Sequence, residues 1–595
     1  MSIRPFWIIA FILSSVAISV SLLPTIRQFA ATPEGTVFLG THNNLLDYPM
    51  FVSAINRGQR GKWTNKAVFT SEPQPPDFVH WIYIPLGKLT KLFSLNAILS
   101  YQLGRVIFAL TLCLSSFYFI TQLFPTPTDT GKKALQKPKS RVSLLRQFSF
   151  AASNLYSSIK SLAQNPHSGL ILASFILSTF SAGFTRISFV NNQLRLLGPY
   201  LEWWTGGDTL RRTTFQPHAM LKNTLLFLIL ALFAKLISDK QKPRFIWILP
   251  ALGLLLGLHD PINSLSIFIL LGLYMLFTLL RAKFQLNKAK LSLLKFTAVY
   301  AIISAVGLYA TLWAFSKTPW KSVSDWESRQ HRPVAFFDYA NHLGSIFYLG
   351  LPGLTLLCLN SLKRKKDRPL LPYPTPHPFL SFSSLILTFF SVFMITSGIS
   401  ALTQIATLRF FQTPVHVFLS IGTAYFLYYI YTSLNRHRIA PALYWVSILL
   451  ILIPALPTHY NSLKVQNREW GTRYWNFYPD RESFETISYL KSISDVDDVI
   501  LANDLVSQAV PTVSGNIVFI GHFVSTLNFR EKLPLVNKFF SGKMDAGEAL
   551  SFIRTTGAKY VLTLYPETLV VNPGNYPFLA PVRIGSTLQL YQVSL

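Results

Sequence analysis

Apolar runs of about 18 or more residues recur along this chain, and each is long enough to cross a bilayer. Inside a bilayer no water satisfies backbone N–H and C=O groups, so such runs fold as helices. Spans are expected at roughly 5–23, 97–124, 169–190, 219–238, 245–258, 262–280, 296–315, 345–361, 379–398, 411–432 and 439–457, about eleven in all. Only 13% of residues are charged, against about 25% in soluble proteins. Arg4 precedes the run 5–23 as it would in a signal peptide. The run is long for that purpose and no small-x-small site follows, so it reads as an uncleaved first span.

A net charge of +29 suggests a nucleic-acid binder until its distribution is read. From Thr458 onward 12 basic residues balance 12 acidic ones, leaving 42 basic against 13 acidic before it. A nucleic-acid partner calls for a basic face on a soluble motif, and the sequence has no such motif. The excess instead sits in five loops between spans: Lys132 to Arg146, Lys240 to Arg244, Arg281 to Lys290, Lys363 to Lys366, and Arg436 with Arg438. All five fall on one face if the N-terminus is cytoplasmic, as the positive-inside rule requires. The expected location is therefore the cell (cytoplasmic) membrane, multi-pass, with the C-terminal region outside the cytoplasm. The stretch 125–168 reads as a basic cytoplasmic loop, a topogenic charge cluster or a surface for anionic lipid.

Two regions follow: a transmembrane domain, 1–457, with a first outer loop at 24–96, and an extracytoplasmic α/β domain, 458–595. In the latter, Val499 to Leu501, Ile517 to Ile520, Lys559 to Leu564 and Thr587 to Val593 read as strands. Glu482 to Lys491 and Asp545 to Thr555 read as helices. The segment 77–94 reads as an amphipathic piece at the membrane interface, a further span being the other option. Cys113 and Cys358 lie in apolar spans, so there is no disulfide framework and no zinc spacing. The outer acids form no metal cluster; use of a divalent metal is left open.

The polar candidates lie in outer loops and at span ends. Asp47 opens a helical stretch in THNNLLDYPMFVSAINRGQRGKW. It is either an N-cap, with Pro49 behind it, or a functional carboxylate. Arg57, Arg60 and Lys62 follow, as a grip on an anionic headgroup or a solvated turn. Glu202, Asp208, Arg211, Arg212 and His218 sit near the mouth of a span, where Trp203 and Trp204 suit an interfacial anchor. His259, Asp260 and Pro261 break two apolar runs, as a tight hairpin or a pocket wall; polar groups there are costly and often functional. Arg105, Arg186 and Arg409 lie at span ends, positioned to snorkel or to hold a lipid-linked phosphate, with Arg409 in LRFFQTPVH favoured.

An Asp in the first outer loop, a His-x-Pro break, an Arg-Phe before a late span and an outer α/β domain together resemble the GT-C superfamily of membrane glycosyltransferases. LLDYPMFVSAINRGQRGKW and FTSEPQPPDF are similar to the first outer loop of bacterial multi-pass proteins related to dolichyl-phosphate-mannose-protein mannosyltransferases. The resemblance implies a hexosyltransferase of the cell envelope. Its donor is a polyprenyl-phosphate sugar and its acceptor a hydroxyl on lipid, glycan or protein. It implies Asp47 as general base, with inversion, and cations to receive the departing phosphate; Arg409, Arg57 and Arg60 are the candidates. His218, His259 and Asp260 are the expected pocket residues. One departure is that Tyr48, not a second acid, follows Asp47, which keeps Glu72 as the alternative base. Two other classes stay open: a transporter or lipid flippase, and a non-catalytic scaffold that binds glycan or a partner.

Overall fold

The computed structural model describes residues 4–42, 45–124, 166–199, 201, 208–238, 247–281, 283, 287–363, 376–399, 402, 405–434, 440–470 and 474–594. The basic residues of 125–165, 240–244, 364–366 and 436–438, and Glu202 with its neighbouring tryptophans, lie outside the described residues.

The chain opens with α1 (Arg4–Ala30), then α2 (Tyr48–Gln59) and α3 (Tyr83–Lys91) in the first loop, and α4 (Ala97–Leu123). Next come α5 (Pro166–Phe180), strands β1 (Thr185–Val190) and β2 (Gln193–Pro199), the short α6 (Thr209–Thr213), α7 (Pro217–Ser238), α8 (Ile248–Gly257), α9 (Pro261–Arg281) and α10 (Lys288–Phe315). Two amphipathic helices, α11 (Trp320–Glu327) and α12 (Phe336–Leu343), lead to α13 (Ser345–Leu362) and α14 (Pro378–Thr396). A 3₁₀ turn at Thr407–Gln412 precedes α15 (Val415–Leu434), followed by α16 (Ala440–Leu452) and α17 (Leu456–Trp470).

Among the described residues eight helical segments are long and apolar enough to cross a membrane. The other three expected spans correspond to α5 and α8, which are shorter, and to the tyrosine-rich α15. The chain is a polytopic helical membrane protein. Glycines let some of these helices meet backbone to backbone. A Cβ on Gly353 of α13 would run into the Gly422 carbonyl of α15, and one on Gly422 into the Gly350 carbonyl. Small residues at such crossings permit the close approach that drives helix association in lipid.

The predicted span 169–190 is corrected. The helix ends at Phe180, and Thr185–Val190 pairs antiparallel with Gln193–Pro199. Within Thr185–Val190, Arg-Ile-Ser-Phe alternates polar and apolar residues, a strand pattern. Asn191 and Asn192, at φ 52° and 58°, supply the left-handed turn that a two-residue hairpin needs. The segment 77–94 holds only the nine-residue α3, too short to span, packed against α2 and α4.

The C-terminal region is α/β. Helices α18 (Arg481–Ile493), α19 (Asp504–Val513), α20 (Phe529–Phe540) and α21 (Ala546–Thr556) surround a sheet of β3 (Val499–Leu501), β4 (Ile517–Val518), β5 (Ala558–Leu564), β6 (Leu579–Ile584) and β7 (Leu588–Val593). The strand order is β4-β3-β5-β7-β6; β4, β3 and β5 run parallel, β7 and β6 antiparallel. Strand β6 and helices α19 and α20 were not foreseen. A shared core joins this unit to the first loop and α4, with Phe51, Tyr83 and Tyr101 on one side and Ile500, Val506 and Val510 on the other.

Gly353→Ala is expected to lower the thermal midpoint of the detergent-solubilised protein, at a cost of about 1–3 kcal/mol for the overlap. Gly272→Ala, with open space around its Cβ, should leave the midpoint unchanged or raise it; equal behaviour of the two variants would count against the crossing.

Candidate active site

Asp47 stands at the N-cap position of α2, yet its side chain makes no cap hydrogen bond. It meets His522 of the C-terminal unit instead, with Nε2 3.1 Å from Oδ1. The other ring nitrogen of His522 accepts the backbone N–H groups of Val524 and Ser525, each at 3.1 Å. With Nδ1 committed as acceptor, Nε2 is the ring nitrogen placed to donate to the carboxylate. Phe523 stacks on the ring at 5.4 Å. His522 is 7% exposed and Asp47 29%, so the carboxylate is held from one side and open on another.

Around Asp47 the fold gathers side chains from distant parts of the sequence. Its carboxylate is within electrostatic reach of His80 and Arg409. The rings of His80 and His218 are 5.4 Å apart, and those of His218 and His259 5.9 Å. His218 Nδ1 lies 2.8 Å from the Tyr83 hydroxyl, and His259 Nε2 donates to the His218 carbonyl at 2.7 Å. Arg409 is ion-paired with Glu327. Asp260 pairs with Lys222 at 3.4 Å, both buried, and accepts the Ile262 N–H at the start of α9. Burial lowers the pKa of His80 to about 4, so it is neutral at physiological pH. Burial also raises Asp77 to about 6, against the hydrogen bonds it accepts from Trp320 and from the Val79 N–H.

Thus Asp47, Arg409, His218, His259 and Asp260, picked from four separate stretches, come together. The remaining candidates do not join them. Arg57 is 1% exposed and pairs with Asp497 at 2.9 Å; it is neither a headgroup grip nor a solvated turn. Burial would push Asp497 up, but Arg57, Lys62 and Lys66 hold its carboxyl at about 2. Arg60 donates to the carbonyls of Ser494 and Ser514. Both arginines tie α2 to the C-terminal unit. Glu72 pairs with Lys532 at 2.6 Å and accepts from Thr70; these bonds outweigh burial and lower its pKa. Arg105 is buried on Thr214, Thr25 and Gln102.

His522, His80, Lys222, Glu327 and Trp320 were not singled out from the sequence. His522 had a readable signal, because it follows β4 at the carboxyl end of a parallel strand, where α/β sheets place functional groups. Among the described residues no group of three or more His, Cys, Asp or Glu is arranged to hold a metal ion.

Asp497→Ala strands the buried Arg57 cation and is expected to cost about 3–5 kcal/mol of stability. A thermal midpoint that drops no more than that of Asp495→Ala, whose carboxylate is more exposed, would show that the pair is not a structural clamp.

No family model matches the sequence, and no curated protein matches it. Solved structures do. The chain is similar to the oligosaccharyltransferase of Archaeoglobus fulgidus, with TM-score 0.50 and 12% identity, over 98% of this chain and 73% of that one. A second structure of that archaeal enzyme, AglB with an inhibitory peptide and a dolichol-phosphate, matches over 100% of this chain and 75% of its own, with TM-score 0.50 and 11% identity. The arabinofuranosyltransferase AftD from Mycobacteria matches with TM-score 0.51 and 12% identity, over 100% of this chain and 40% of that one. At such identities the likeness is one of fold alone: this chain shares the membrane-protein fold of those structures.

Proposed function

We propose that the protein transfers a sugar from a polyprenyl-phosphate-linked donor to an acceptor hydroxyl, on the membrane side that carries the C-terminal α/β unit. With the N-terminus cytoplasmic, that side is outside the cytoplasm. The reading rests above all on Asp47. This carboxylate leaves its own helix uncapped, is fixed by His522 from a distant domain, and faces a cluster of histidines and Arg409. The fold supports it, since AglB was solved with a dolichol-phosphate.

In this mechanism Asp47 takes the proton of the acceptor hydroxyl. The acceptor oxygen bonds to the anomeric carbon as the bond to the lipid phosphate breaks, through an oxocarbenium-like transition state of the kind glycosidases use. Attack from the face opposite the leaving group inverts configuration. Arg409, held by Glu327, is the cation that meets the charge on the departing phosphate. His522 is a positioning residue: its N–H fixes Asp47 through Oδ1. The neutral His80 lines the sugar pocket together with His218 and His259.

A buried ion pair between spans, Lys222 with Asp260, is also the kind of group a transporter uses. Transport would move substrate across sealed vesicles with no covalent product.

The test is transfer from radiolabelled polyprenyl-phosphate sugars by purified protein in lipid. Asp47→Asn should reduce turnover to background without changing the melting profile. Turnover equal to that of the unsubstituted protein would remove Asp47 as base and turn attention to Glu72. His522→Ala is expected to lower kcat about 100-fold, the scale for a misplaced catalytic group, with donor KM little changed. His522→Gln, which keeps an N–H donor, should recover part of that loss. A His522→Ala enzyme with full kcat would show that the contact does not position the base.

A further inference from the structure

The β1–β2 hairpin is amphipathic in an unusual place. Ile187 pairs with Leu196 and Phe189 with Leu194, which puts all four on one face. They are 58%, 36%, 76% and 61% exposed, respectively. Ser188 pairs with Arg195 on the opposite face, and residues 181–199 contain two arginines and no acid.

The root of the hairpin is fixed at the ends of two membrane segments. Helix α5 stops at Phe180, whose carbonyl accepts from His459 Nε2 at 2.9 Å. The Thr458 hydroxyl reaches the Gly183 carbonyl and the Thr185 hydroxyl, each at 2.6 Å. Thr458 follows directly on the apolar run through α16, whose Leu449, Leu450 and Ile453 are outward-facing and exposed, as is Leu456. In a membrane protein those side chains face lipid, and the hairpin is rooted where that lipid-facing run ends. The open strand edges exclude the hydrocarbon interior, where unpaired backbone groups are not tolerated. They are compatible with the headgroup layer, where water satisfies the backbone while side chains reach the first acyl carbons. The arginines and the lack of acids suit anionic headgroups.

We propose that the β1–β2 hairpin is a membrane-interface anchor, seated with Ile187, Phe189, Leu194 and Leu196 in the lipid leaflet on the side of the C-terminal α/β unit. Its partner is the bilayer itself, and the inference is independent of the transfer reaction.

The test uses the full chain with Cys113 and Cys358 replaced by Ala and one cysteine at 186, 189, 194 or 195. Each is labelled with the environment-sensitive fluorophore NBD, in nanodiscs of phosphatidylcholine and phosphatidylglycerol. All four positions are exposed. Probes at 189 and 194 should emit at shorter wavelength than those at 186 and 195. Lipid doxyl groups at acyl carbon 5 should quench the 189 and 194 probes at least two-fold more than groups at carbon 12. Aqueous iodide should quench only the probes at 186 and 195. Iodide quenching at 189 equal to that at 195 would place the hairpin in water and overturn the proposal. Shielding of 189 from both quenchers would overturn it too, by showing that protein, such as a second copy of this chain, covers the face.

Discussion

Helix α2 is buried along its entire length, and the arrangement of the site depends on that. It lies between the membrane helix α4 and the C-terminal unit, whose helix α19 packs against it. Asn56 spans the junction, donating to the Thr512 carbonyl at 2.9 Å and accepting from Lys491 at 2.7 Å. Arg57 and Arg60 add a buried ion pair and two carbonyl bonds. Next to it, the Val518 N–H of β4 bonds the Val68 carbonyl at 2.7 Å. A buried cation without its partner costs several kcal/mol, so these contacts set one orientation of the C-terminal unit. His522 reaches Asp47 only in that orientation.

The same low dielectric that makes the clamp specific governs the site. Cations and acids far from water must be paired or become neutral. Lys222 is paired with Asp260 and Arg409 with Glu327, while His80 becomes neutral. Asp77, buried against Trp320, is driven towards its protonated form. Asp47 differs: it is partly open to solvent and is held by the His522 ring. A general base must be within reach of the proton it takes, and that partial exposure gives an acceptor access to the carboxylate.

How much of this was legible follows from the range of the forces involved. Apolar length marked the membrane segments because a bilayer imposes one dimension on every span. It failed at 169–190, where counting apolar residues hid the alternation in Arg-Ile-Ser-Phe and the Asn-Asn turn. Asp47, Arg409, His218, His259 and Asp260 could be picked out, since each is a polar group beside an apolar run. Their partners could not. Glu327 and Lys222 look like ordinary charges until Arg409 and Asp260 are seen against them. Arg57 and Arg60 looked like a phosphate grip because a sequence does not reveal that Asp497 and the Ser494 and Ser514 carbonyls lie opposite.

The sequence by itself determined that the chain crosses a membrane many times, where its basic residues concentrate and that its last part is α/β, because hydropathy and strand periodicity are local properties. Only the tertiary structure decided which residue holds Asp47, since 475 positions separate it from His522. It alone decided which arginines are structural. Those outcomes depend on which surfaces meet across the first loop and the C-terminal unit, and the burial that makes a pair costly or favourable exists only once they have met.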